Sequence, residues 1–87
     1  MKTKTLTVYG TTWCADCRLA KLWLHEHKIA FVDINIEEDE KAVEEVLKIN
    51  NGMQTVPTIL FPDGSVLTEP SNKELEQKAL ALGLFSI

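Results

Sequence analysis

The sequence predicts an α/β domain whose elements follow the order β-α-β-α-β-β-α. Three observations carry that expectation. Short apolar runs alternate with stretches of helical apolar spacing through the first half of the chain. A Pro-Asp-Gly-Ser turn signal, Pro62–Ser65, separates two short apolar runs in the second half. The last stretch then returns to helical spacing.

Each element has its own signal. Leu6–Tyr9 reads as a strand, with Leu6 and Val8 alternating with Thr5 and Thr7. Gly10-Thr11-Thr12-Trp13 breaks the alternation. From Cys14 to about Lys28, Cys17, Ala20, Trp23 and Leu24 recur at helical spacing between polar Arg18, Lys21 and Glu26. Ala30–Ile36 reads as a second strand carrying Phe31, Ile34 and Ile36. Glu37-Glu38-Asp39-Glu40 places negative charge where a second helix begins, which suits the positive end of a helix dipole. A solvated helix start explains that run better than an acidic docking patch. Val43, Val46, Leu47 and Asn50 would form the helix's buried stripe, and Asn51-Gly52 stops it. Thr58–Phe61 and Val66–Thr68 are the arms of a hairpin. Pro70-Ser71-Asn72 opens a last helix in which Leu75, Ala79 and Leu82 face inward and which Gly83 closes. The β-α-β opening implies parallel pairing of the first two strands. The hairpin implies antiparallel pairing of the last two, with helices on both faces.

With 87 residues, one domain spanning 1–87 is expected. Apolar residues make up 45% of the chain, enough for one core, and charged residues 25%, too few for a disordered polyelectrolyte. A net charge of −4 gives no attraction to phosphate backbones, so nucleic acid is not an expected partner. No run approaches a signal peptide or a membrane span. The expected setting is therefore the cytoplasm, with no membrane partner and a monomeric chain. In that reducing setting, two cysteines suggest catalysis or metal binding before a structural staple.

The chemistry is concentrated in Trp13-Cys14-Ala15-Asp16-Cys17, which follows a strand and opens a helix. Residues i and i+3 at a helix start lie about 5–6 Å apart, within disulfide reach. Cys14 sits where unpaired N–H groups and the helix dipole favour a thiolate, so it is the candidate nucleophile. Asp16 opposes that effect and Arg18, on the same helical face, supports it. Cys17 lies one turn in, on the apolar side, and should keep its proton until required. A zinc site would need more ligands, and His25 and His27, at i and i+2 on one helix, do not converge with the cysteines. Both histidines suit the C-terminal end of that helix.

Thr55-Val56-Pro57-Thr58 is the second informative segment. Proline at a strand start cannot donate a ladder hydrogen bond. It is either an ordinary strand-edge proline or a cis proline whose preceding residue offers an open backbone edge. Cis bonds are only about 5–6% of X–Pro bonds, so the residues alone favour the former.

Taken together, these segments resemble the glutaredoxin/thioredoxin family, and within it the mycoredoxin-like glutaredoxins. The shared stretches are Thr11–Cys14, Thr55–Thr58, the Phe-x-Asp-Gly-Ser turn Phe61–Ser65, and Leu67–Ser71. The resemblance implies the thioredoxin/glutaredoxin fold, a four-stranded mixed sheet with helices on both faces. It implies that Pro57 is cis, faces the cysteines, and that Val56 offers its backbone to substrate. It implies a thiol–disulfide oxidoreductase acting on protein disulfides or on proteins carrying a small thiol. Cys14 would form the mixed disulfide, and Cys17 or a second small thiol would resolve it. Trp13, Thr55, Val56 and Pro57 would shape the groove, with Thr68 and Ser71 contacting the small thiol. No bound organic cofactor is implied, since the cysteines are the redox group.

Departures from the family pattern bear on the co-substrate. Glutathione-using members carry a lysine where this chain has Thr11, and a Gly-Gly pair where it has Thr68-Glu69-Pro70. They often carry a tyrosine where it has Asp16. Each change weakens a site for glutathione's carboxylates, which points to mycothiol before glutathione as the low-molecular-weight thiol. Mycoredoxins themselves usually have Gly-Tyr between the cysteines. Two other readings stay open. One is a redoxin reduced directly by thioredoxin reductase, although the Trp-Ser-Gly-Phe segment of ribonucleotide reductase partners is absent. The other is an iron–sulfur-binding glutaredoxin.

Overall fold

The structure, a computed structural model, describes residues 5–84. The elements are β1 (Leu6–Gly10), α1 (Ala15–Glu26), β2 (Phe31–Asn35), a 3₁₀ turn (Ile36–Glu38), α2 (Glu40–Ile49), β3 (Thr58–Leu60), β4 (Val66–Thr68) and α3 (Asn72–Ala81). The order matches the β-α-β-α-β-β-α pattern.

The strands form one sheet in the order β2-β1-β3-β4. β1 and β2 run parallel, while β3 is antiparallel to both β1 and β4. Alternation along β1 distributes its side chains to opposite faces. Leu6 and Val8 enter a cluster with Ala20, Trp23 and Leu24 of α1 and Leu75 and Ala79 of α3. Tyr9 joins Ile36, Ala42 and Val46 under α2. Helices therefore cover both faces, each over its own apolar cluster.

The helix ends follow local chemistry. Asp39 caps α2 by accepting hydrogen bonds from the Lys41 and Ala42 N–H groups, and Ser71 and Glu74 form a reciprocal capping box on α3. The acidic run thus divides. Asp39 and Glu40 belong to the helix start, whereas Glu37 and Glu38 lie in the 3₁₀ turn before it. Ala42 and Val46 are the fully buried residues of α2, and Leu47 is only half-buried. Val46 is buried as the apolar spacing predicts, Val43 is partly buried against the same cluster, and Ala42 rather than Leu47 completes the inward face. The second strand ends at Asn35, one residue short of expectation, where the Asn35 carboxamide accepts the Glu37 N–H and turns the chain.

Pairing of Tyr9 with Thr58 and of Gly10 with Asn35 brings three connections to one end of the sheet. They are the Gly10–Cys14 loop, the segment leading through Pro57 into β3, and the turn after β2.

Candidate active site

Cys14 is the N-cap of α1. Its sulfur accepts a hydrogen bond from the Cys17 backbone N–H at 3.1 Å, one of the donors a helix start leaves unpaired. Both cysteines are free thiols and both are buried, Cys17 completely and Cys14 with 7% of its surface exposed. That residual exposure opens into a groove of about 470 Å³ lined by Trp13, Cys14, Ala15, Asp16, Gln54, Thr55, Val56 and Glu69. Cys17 is not on the groove wall. Access alone therefore separates the two sulfurs, since Cys14 lines the groove and Cys17 does not.

Protonation separates them further. Burial pushes the Cys17 thiol up to about 12, and its hydrogen bond and charge interaction with Cys14 act in the same direction. A backbone hydrogen bond from Thr11 and the positive charge of Lys21 pull the other way.

The Val56–Pro57 peptide bond is cis. Pro57 is fully buried behind the groove, while Thr55 and Val56 line it. A hydrogen-bond chain holds this segment in place. The Thr58 hydroxyl donates to the Thr55 carbonyl at 2.7 Å, the Asn50 carboxamide donates to Thr58 at 2.9 Å, and the Thr68 hydroxyl donates to Asn50 at 3.2 Å. On the far side, the Glu69 N–H donates to the Pro57 carbonyl at 2.9 Å.

Trp13, Cys14, Thr55 and Val56 thus meet at one groove. Pro57 backs it. Thr68 and Ser71 lie outside its wall, with hydroxyls engaged by Asn50 and by the Glu74 N–H. Glu69 lines the wall from the segment that the family resemblance places at the small-thiol site, whereas Gln54 is a wall residue that sequence reasoning did not place there; it lies in a separate loop, and no local pattern relates it to Cys14.

Gly10 is another residue with no sequence signal. A Cβ on it would lie 2.8 Å from the Cys17 sulfur and 3.2 Å from the Cys17 Cβ. Cys17 sits in the first turn of α1 and is completely buried, so making room means moving packed atoms. Gly10→Ala should therefore cost about 1–3 kcal/mol of stability, the range of overpacked cores. Urea midpoints of the reduced protein measure this, and an unchanged midpoint would show that α1 shifts freely.

The glutaredoxin family model matches residues 6–66. A Mycobacterium tuberculosis (strain H37Rv) protein whose name places it among glutaredoxins is 42% identical over 82 residues, covering 94% of this chain and 98% of that one. Mycoredoxin 1 of Corynebacterium glutamicum is 35% identical over 77 residues, covering 88% and 95%. Among solved structures, the thioredoxin-like protein BC3987 superposes with a TM-score of 0.74 at 24% identity, covering 83% of this chain and 96% of its own.

Proposed function

The chain belongs to the glutaredoxin family of thiol–disulfide oxidoreductases, and from that premise we propose that Cys14 attacks and Cys17 resolves, with mycothiol as the preferred small-thiol reductant. The observation that carries the division of labour is the placement of the sulfurs. Cys14 opens into the groove while accepting the Cys17 N–H, and Cys17 is sealed behind it.

The Cys14 thiolate attacks one sulfur of a protein disulfide, or the small-thiol sulfur of an S-thiolated protein. A new S–S bond forms on Cys14, the substrate S–S bond breaks, and the leaving thiolate takes a proton. This step changes Cys17. Once the Cys14 sulfur is in a disulfide it carries no charge, so two of the influences that hold the Cys17 proton disappear. Thr11 and Lys21 then favour release of that proton. The Cys17 thiolate attacks the Cys14 sulfur and expels the second substrate thiol. The enzyme is left as the Cys14–Cys17 disulfide, two electrons poorer, and two reducing thiols restore it. For an S-thiolated protein, a second small thiol can replace Cys17 in the resolving step. Trp13, Thr55 and Val56 flank the reacting sulfurs, with Pro57 supporting Val56 from behind.

The preference for mycothiol rests on charge. Among the described residues, the groove wall carries Asp16 and Glu69 and no lysine or arginine. Glutathione would bring two carboxylates to that wall, and a carboxylate leaving water without a partner costs several kcal/mol. A largely uncharged, hydroxyl-rich thiol avoids that cost. The Val56 backbone can meet its hydroxyls, whereas Thr68 and Ser71, outside the groove wall, are engaged by Asn50 and by the Glu74 N–H.

The test is turnover of one S-thiolated peptide with mycothiol, with glutathione, or with thioredoxin reductase and NADPH. The expected result is faster recycling by mycothiol than by glutathione at equal concentration and pH. Equal or better turnover with glutathione overturns the small-thiol assignment. Full turnover with the reductase alone would instead make the protein a reductase-linked electron donor.

A further inference from the structure

Glu37 is exposed, as its place in an acidic run suggests, but its carboxylate is not free of the protein. Both of its carboxylate oxygens are taken by the active-site loop. Oε2 accepts the Trp13 indole N–H at 2.8 Å, and Oε1 accepts the Thr12 hydroxyl at 3.4 Å. The first is a short, charge-assisted bond, the stronger kind. Both segments follow paired strand ends. Gly10 pairs with Asn35 across β1 and β2, so the loops following those residues start side by side. The Glu37 N–H in turn donates to the Asn35 carboxamide at 3.0 Å.

The consequence lies in Trp13. Its side chain is 70% exposed, yet its only polar atom is already satisfied. What it offers to a partner is therefore an apolar ring face in a fixed position, beside the nucleophile and on the groove wall. A large side chain held this way loses little conformational entropy on binding. A free indole would lose more.

We infer that Glu37 is a positioning residue that fixes Trp13 as the outer wall of the Cys14 groove, and so sets affinity for extended protein disulfides without setting the intrinsic reactivity of Cys14. This rests on the reading of Cys14 as the attacking sulfur. A small disulfide reaches that sulfur without using the outer wall, whereas a folded protein or long peptide must lie across it.

The test compares insulin with bis(2-hydroxyethyl) disulfide as oxidants of the reduced protein. Glu37→Ala should raise KM for insulin about fivefold, the effect of one such hydrogen bond, with kcat unchanged. Its rate with the small disulfide should stay within about twofold of the parent. Glu37→Gln keeps an acceptor for the indole and should recover most of the insulin KM. In a Trp13→Phe background, which has no indole N–H, Glu37→Ala should change the insulin KM by less than about twofold. Equal losses on both oxidants, or an undiminished Glu37→Ala effect in the Trp13→Phe background, would overturn the proposal. The assignment of Cys14 is checked separately, because a small-disulfide reaction surviving in Cys14→Ser would sink that reading and leave the Glu37–Trp13 cycle to be judged on its own ratio.

Discussion

Replacing Cys14 by Ser should remove turnover by on the order of 10³-fold or more, the scale seen when a covalent nucleophile is deleted. Replacing Cys17 by Ser should leave the first attack intact and stop the reaction at the mixed disulfide. The asymmetry follows from position. Only the Cys14 sulfur opens into the groove, and a serine hydroxyl there is neither ionised nor nucleophilic near neutral pH. The Cys17 N–H that bonds the Cys14 sulfur is a backbone group, so it survives Cys17→Ser. Mass spectrometry after mixing each variant with an S-thiolated peptide reads the outcome directly. One small-thiol or peptide adduct should sit on Cys14 in Cys17→Ser, and none should form in Cys14→Ser. An adduct on Cys17 in the Cys14→Ser protein would reverse the two roles.

The contrast between the cysteines was legible in the sequence because it is local. A Cys-x-x-Cys after a strand defines both the helix start and the inward turn, and the cap geometry at Cys14 follows from them. The element order was legible for a similar reason, since each element carries its own apolar period. The cis bond before Pro57 was not. Its residues alone favoured trans, and only the likeness to a known family pointed the other way. Features built from distant segments were also hidden. Glu37 meets Trp13 across 24 residues of chain, so an acidic run that reads as a helix start conceals one residue with a different task. Gly10 has no left-handed backbone to betray it, and its small size matters only because Cys17 arrives against it from the next element. Gln54 reaches the groove from the loop before β3, which is placed only once β3 has paired with β1.

The raised Cys17 thiol also makes stability depend on pH in a direction that can be worked out. Burial, reinforced by Cys14, holds this thiol near 12 in the folded protein, whereas in the unfolded chain it should titrate near its ordinary value of about 8.5. Below about pH 8.5 both states keep the proton, and the contribution to stability is fully present. Between that value and about 12 the unfolded chain has lost the proton and the folded protein retains it. The unfolded state then binds fewer protons, so stability falls as pH rises, by at most about 1.4 kcal/mol per pH unit for one group. Tyr9, which burial and its hydrogen bond to Glu45 also push up, adds a loss of the same sign. Comparison with Cys17→Ser isolates the thiol, because Tyr9 is common to both proteins while serine does not titrate. Urea unfolding at pH 8, 9, 10 and 11, with both proteins kept reduced by a phosphine, should show the parent losing stability relative to Cys17→Ser at each step above pH 9. A stability difference that stays constant across the series would mean that Cys17 ionises as readily in the folded protein as in the unfolded chain. The proton-release step assigned to it would then need no help from Cys14.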